Sequence, residues 1–156
     1  MRNSMLVVYA LGLALSVFAL TADPFIGTWE VDPARSGVLA PKSEVYTVTA
    51  DGSDGVRLTK DSVGFTGVSH HAVGTCKFDG KDYPVTGHSL PDATRSVKRI
   101  DAHTWKIILK SEGKLVSETR EVVSDDGTTL TVTGTVSGAF TVNGKTYEVM
   151  TVYQRK

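Results

Sequence analysis

The chain has 156 residues, of which 40% are hydrophobic and 22% are charged, with 17 basic and 17 acidic side chains. This length fits a single domain with one core. The absence of a basic excess argues against nucleic acid as a partner, because phosphate binding needs a surplus of Lys and Arg. The single cysteine, Cys76, cannot form an internal disulfide, so we expect the core and the sheet hydrogen bonds to hold the fold.

Residues 1–22 have the pattern of a cleaved secretory signal. Arg2 precedes an apolar run of sixteen residues, 5–20, and small residues lead to Asp23. The run is shorter than the roughly 20 residues of a spanning helix, although a retained anchor is the alternative, and we expect no membrane span in the mature chain. We predict an exported protein, periplasmic or extracellular, with one domain at 23–156. Losing Arg2 leaves 16 basic residues (17 − 1) against 17 acidic ones, a net charge of −1.

After Asp23 the chain alternates short β-branched segments with glycine-containing turns, which predicts an all-β fold. Asp32 and Pro33 predict one helical turn with Asp32 as its N-cap. The pairs Asp79-Gly80 and Asn143-Gly144 are typical of tight hairpins. The predicted strands are 25–31, 44–50, 56–63, 68–77, 83–87, 94–100, 104–111, 114–123, 129–136 and 146–153.

These sequential hairpins predict an antiparallel meander, either a sandwich or a closed barrel. Closure removes the exposed sheet edges, and the connections are too short for the crossovers of a Greek-key sandwich. We therefore predict a closed up-and-down barrel of about ten strands and expect a monomer.

Several motifs resemble those of the calycins, which comprise the lipocalins and the fatty-acid-binding proteins. The first is Phe25-x-Gly27-x-Trp29, in which glycine and tryptophan share a strand face and the glycine leaves room beside the indole. Residues 113–133 and 151–156 resemble the late hairpin and the last strand of fatty-acid-binding proteins. Residues 79–87 resemble a motif of exported bacterial lipocalin-like proteins that have no assigned activity. The resemblance implies a ligand-holding barrel whose closed end is plugged by Trp29.

Two departures from the fatty-acid-binding pattern concern the ligand. The segment 32–43 is too short for the helical lid of that family. The last-strand arginine of the family is Thr151 here, whereas the tyrosine is kept as Tyr153, and Arg120 falls on the interior arginine of the late hairpin. The resemblance therefore implies that Arg120 and Tyr153 bind a ligand carboxylate.

The direction of Arg120 depends on which face of its strand points inward. One face carries Val116, Glu118, Arg120 and Val122, and the other carries Leu115, Ser117, Thr119 and Glu121. If the first face is the inner one, Arg120 contacts the ligand. The alternatives are that Arg120 stacks on Trp29 or that the second face points inward.

Apolar residues alternate with lysines on a later strand, so we predict an inner wall there. This wall comprises Trp105, Ile107 and Leu109, joined by Val132 from a neighbouring strand. It suits an apolar ligand cavity or a filled core. We interpret the basic residues Arg95, Lys98 and Arg99 as a solvated face.

The histidines do not have the spacing of a metal site. His70 and His71 point to opposite faces of one strand, and His70 lies roughly 20 Å from Cys76 along it. We expect Cys76 to be buried and no metal or cofactor to be bound. No nucleophile elbow or phosphate loop is present. We therefore predict a non-enzymatic protein that binds a small hydrophobic or amphipathic molecule. The alternative is a filled barrel that serves as a structural or interaction module of the cell envelope.

Overall fold

The computed structural model describes residues 23–64, 66–137 and 144–156. The predicted secretory signal, 1–22, and Asn143 of the predicted last hairpin lie outside these residues. The ten strands are β1 (Gly27–Val31), β2 (Ser43–Asp51), β3 (Gly55–Val63), β4 (Ser69–Lys77), β5 (Tyr83–Thr86), β6 (Ala93–Asp101), β7 (Thr104–Ser111), β8 (Lys114–Val123), β9 (Thr129–Val136) and β10 (Tyr147–Arg155).

The strands form one closed antiparallel barrel in which each strand pairs with its neighbours in the sequence. The first strand, β1, pairs with β2 and also with β10, where Trp29 lies opposite Arg155. This last pairing removes both sheet edges, so none of the ten described strands is left as an open edge that could pair with another chain. The closed ten-stranded barrel is confirmed, and the sandwich alternative is excluded.

A 3-10 helix at Pro33–Arg35 follows β1, as the sequence predicts. The Asp32 carboxylate accepts hydrogen bonds from the backbone N–H groups of Ala34 and Arg35. It gives the Ala34 N–H a partner at the start of the helix, whereas the Arg35 N–H also donates to the Asp32 carbonyl at 3.2 Å. In the described part of the chain, no helix is long and apolar enough to cross a membrane.

The main core lies at one end of the barrel. Phe25 stacks on Trp105 with ring centroids 3.8 Å apart, and Phe78 meets the same indole edge-on at 5.0 Å. Trp29 is fully buried in this core, and Cys76 is buried in it as expected. This end also receives the β2–β3, β4–β5, β6–β7 and β8–β9 turns, so we name it the closed end.

Candidate functional site

A cavity of about 490 Å³ occupies the other end of the barrel. Its mouth is bordered by the segment between β1 and β2, the β3–β4 turn and the β5–β6 loop, through residues such as Leu39, Gly64 and His88. The volume lies within the range of about 300–1,000 Å³ that is typical of small-molecule sites. Apolar side chains form much of the wall: Leu39, Pro41, Ala72, Ile107, Leu109, Val132, Val136 and Val149.

The closed end is sealed by Trp29 and held by Arg155. The Trp29 indole N–H donates to the Phe25 carbonyl at 3.0 Å, and the Arg155 guanidinium lies 4.2 Å from the indole centroid. The guanidinium also donates to the carbonyls of Pro24, Ile26 and Gly127. A Cβ on Gly27 would lie 2.4 Å from Arg155 Nη1. The glycine therefore leaves the space that this arginine fills.

Charged and hydroxyl-bearing side chains meet on the cavity wall. On β2, Glu44 pairs with Lys60 of β3 at 3.1 Å, and the same carboxylate accepts a hydrogen bond from the Tyr153 hydroxyl at 2.6 Å. The Lys60 ammonium also lies 4.4 Å from the Tyr46 ring centroid. Lys60 and Glu44 therefore neutralise each other locally and leave little unsatisfied charge.

Glu121 and Arg95 complete this polar cluster, which we name the inner polar cluster (Glu44, Tyr46, Lys60, Arg95, Glu121 and Tyr153). Glu121 is 2% exposed, and its carboxylate accepts a hydrogen bond from the Tyr46 hydroxyl at 3.3 Å. Burial raises the pKa of Glu121, whereas the nearby Lys60 and Arg95 lower it. Burial also raises the pKa of Tyr46 and that of Tyr153 well above the usual value, so both phenols are neutral donors at physiological pH.

Arg95 is 6% exposed and lines the cavity. The expectation that it lies on a solvated face with Lys98 and Arg99 is wrong for Arg95. It alternates in phase with the buried residues Ala93 and Val97 on β6, so the strand period directs it inward. Arg99 has the same phase but lies beyond the core, where it pairs with Asp23. Ala93 and Val97, two residues before and after Arg95, are apolar, and this alternation was the signal that could have identified Arg95 as an inward-facing residue.

The structure separates the predicted ligand-binding residues into two groups. Ile107, Leu109 and Val132 line the cavity. Trp105 instead packs against Phe25 at the closed end, and the Tyr153 hydroxyl is engaged by Glu44 of the inner polar cluster.

Arg120 is exposed on the outside of the barrel, so the expectation that it faces a ligand is corrected. Its neighbours Thr119 and Glu121 line the cavity, and Glu118 pairs outside with Lys106 at 2.7 Å. The reason is a β-bulge, since Leu109 pairs with Ser117 whereas Lys110 pairs with Leu115. Val116 is the extra residue of this bulge, and it is buried. After it the alternation of inward and outward side chains shifts by one residue, so Ser117 and Thr119 point into the cavity.

The histidines divide between the outer surface and the mouth. His71 is exposed and pairs with Asp61 at 2.5 Å, whereas His70 and His88 line the cavity. Burial, followed by the charge of Arg95, lowers the pKa of His88. Across residues 23–64, 66–137 and 144–156, no three His, Cys, Asp or Glu side chains are grouped so that they could hold a metal ion.

Comparisons with known proteins identify the fold. No family model matches the chain, and no curated protein matches its sequence. Among solved structures it is similar to the fluorescent protein UnaG, with 16% identity, a TM-score of 0.59, and coverage of 85% of this chain and 97% of that one. Two UnaG mutants give TM-scores of 0.59 and 0.58 at the same identity. At this identity the likeness concerns architecture alone, and the chain therefore has the closed barrel of the calycin-like fold.

Proposed function

We propose that this protein is a non-enzymatic carrier that binds one small amphipathic molecule inside its barrel. The observation that carries the proposal is the cavity of about 490 Å³, whose wall combines apolar side chains with five members of the inner polar cluster, Glu44, Tyr46, Lys60, Arg95 and Glu121. Apolar surface supplies binding energy, and a few fixed polar groups set orientation. A filled barrel, the alternative function, would leave less than roughly 300 Å³.

Binding without catalysis is the simpler use of this interior. An enzyme working at the mouth would need convergent polar groups around His71 or His88. His71 points away from the cavity and is occupied by Asp61 on the outer surface. His88 remains at the mouth, where its lowered pKa keeps it neutral.

Filling the cavity should weaken the binding of a molecule inside the barrel. Thr119 lines the cavity whereas Arg120, the next residue on β8, is exposed. We expect Thr119→Trp to reduce the affinity for a hydrophobic fluorescent probe at least about tenfold, because an indole occupies much of the free space. The matched control Arg120→Trp adds the same side chain outside and should bind within about twofold of the wild type.

Native mass spectrometry of protein purified from its own host provides a second readout. A co-purifying molecule should be present in the wild type and in Arg120→Trp and absent in Thr119→Trp. Equal probe binding by both tryptophan variants would place the probe outside the barrel and contradict the proposal.

We further propose that the barrel acts after export, as a monomer in the periplasm or outside the cell. Arg2 and the apolar run at 5–20 support this location. Expression of the full chain in a bacterial host should yield an exported protein whose N-terminal sequence begins at Asp23. Recovery of the chain in the membrane fraction with its first residues intact would contradict cleavage and support a retained anchor.

A further inference from the structure

This inference rests on the proposed function and names the class of ligand that the cavity would bind. We propose that the ligand is an organic acid whose anionic group binds Arg95, and that its binding adds one proton to Glu121. The two residues lie on different strands, β6 and β8, and both line the cavity.

One guanidinium nitrogen of Arg95 is a buried hydrogen-bond donor without an acceptor among the residues that the structure describes. Within the described residues, two buried side-chain nitrogen atoms have no hydrogen-bond partner, Arg95 Nη1 and Trp105 Nε1. The indole is neutral, but the guanidinium carries a permanent positive charge. Removing such a charge from water without a close counter-ion is strongly unfavourable. Arg95 lines the cavity, so a carboxylate or sulfonate there would place an acceptor and a direct counter-ion against its guanidinium.

The four charged side chains of the inner polar cluster differ in how they are paired. Lys60 and Glu44 form a direct ion pair at 3.1 Å, so they need no further partner. Arg95 and Glu121 remain, and within the part of the chain that the structure describes neither of them has an ion pair with a protein side chain. The Glu121 hydrogen bond comes from a neutral phenol, Tyr46. Arg95 and Glu121 act on each other electrostatically, but Arg95 has no direct ion pair with another described side chain that would have to break before its guanidinium bound an anion.

The protonation of Glu121 depends on its burial and on the charges around it. The charged and titratable groups around it are Tyr46 and Glu44 on β2, Lys60 on β3, Arg95 on β6 and Tyr153 on β10. Burial already raises the pKa of Glu121. A second anion at Arg95 raises that pKa further, because two negative charges in one site oppose each other and the favourable effect of Arg95 is shared.

The sign of the pH dependence follows from this order of pKa values. Glu121 has a higher pKa in the complex than in the free protein, so the complex holds more protons between the two values. The affinity for an acid is therefore constant below the free pKa of Glu121. It falls as pH rises through the interval between the free and bound values, and it becomes constant again above the bound value.

The test uses two fluorescent probes that differ by one group, anilinonaphthalene sulfonate and anilinonaphthalene without the sulfonate. The sulfonate stays ionised, so any proton change belongs to the protein. We expect Arg95→Gln to weaken sulfonate binding about tenfold to hundredfold and to leave binding of the neutral probe within about twofold. Arg95→Lys should recover part of the loss. Unchanged neutral-probe binding also shows that each variant is folded.

Glu121→Gln should act in the opposite direction. It keeps an acceptor for Tyr46 but removes the negative charge, so we expect sulfonate binding at neutral pH to tighten several-fold and to lose most of its pH dependence. A pH dependence that survives in Glu121→Gln would belong to a group other than Glu121.

The outcomes separate the two proposals. If both probes bind in the cavity but Arg95→Gln affects them equally, the carrier function stands and the acid-specific site is rejected. If the pH dependence survives in Glu121→Gln, the proton linkage is rejected. If neither probe binds the wild type, both the acid site and the carrier function fail.

Discussion

We expect Trp29→Ala to lower the free energy of unfolding by about 3–5 kcal/mol, the usual range when a large buried aromatic side chain is removed. Trp29 is fully buried, donates a hydrogen bond to the Phe25 carbonyl and lies beneath the Arg155 guanidinium. The substitution leaves a cavity at the closed end, and it removes both the hydrogen bond to Phe25 and the contact with the Arg155 guanidinium. Because small domains are stable by about 5–15 kcal/mol, the variant should be close to unfolding at physiological temperature.

Urea unfolding followed by far-ultraviolet circular dichroism measures this loss without relying on the deleted fluorophore. The control Trp29→Phe keeps most of the buried ring and loses only the N–H and part of the volume, so its loss should be smaller. A loss below about 1 kcal/mol in Trp29→Ala would show that the indole does not hold the closed end together.

We expect Gly87→Ala to destabilise the barrel by about 2–4 kcal/mol, because it combines an unfavourable backbone conformation with a steric clash. Gly87 follows β5 with φ +71°, a left-handed conformation that disfavours any Cβ. A Cβ at this position would lie 2.0 Å from the His71 carbonyl oxygen. The clash therefore falls on the backbone of β4 and has no flexible side chain to relieve it.

Gly80→Ala is the matched control for Gly87→Ala. Gly80 has φ +74°, and no heavy atom lies within 4 Å of its added Cβ. Its substitution should therefore cost only the conformational part, about 1–2 kcal/mol. Chemical denaturation of both variants gives the difference between them, which isolates the clash. Equal losses would mean that the start of the β5–β6 loop and the facing backbone of β4 adapt to the extra carbon.

Local rules predicted much of the fold because each strand carries its own signals. The bounds of Thr104–Ser111, Lys114–Val123 and Thr129–Val136 agree with the predictions to the residue, since glycine turns or polar turns border all three. Asp32 likewise caps its helical turn through contacts only two and three residues away. Closure could also be predicted, because ten paired hairpin strands without a cover would leave two open edges.

The apolar part of the interior could be predicted from the sequence, but of the inner polar cluster only Tyr153 was predicted as a ligand-binding residue. Ile107 and Leu109 follow the simple alternation of β7, and they line the cavity. The inward direction expected for Arg120 was wrong because of a bulge at Val116. The bulge depends on how β7 pairs with β8, and the sequence of one strand does not determine that pairing. Arg95 has the right phase to point inward, but charge suggests solvent more often than burial, and the groups that surround it come from distant strands.

The pairing of Gly27–Val31 with Tyr147–Arg155 has a consequence for how the interior comes into being. Adjacent hairpins form from local contacts, whereas this seam joins the two most distant strands of the barrel and must overcome the largest loop-closure entropy. Until it forms, the sheet is an open ribbon and encloses no compartment. A compartment is thus enclosed only once this least local pairing has formed, and a molecule bound inside would slow the opening of that seam.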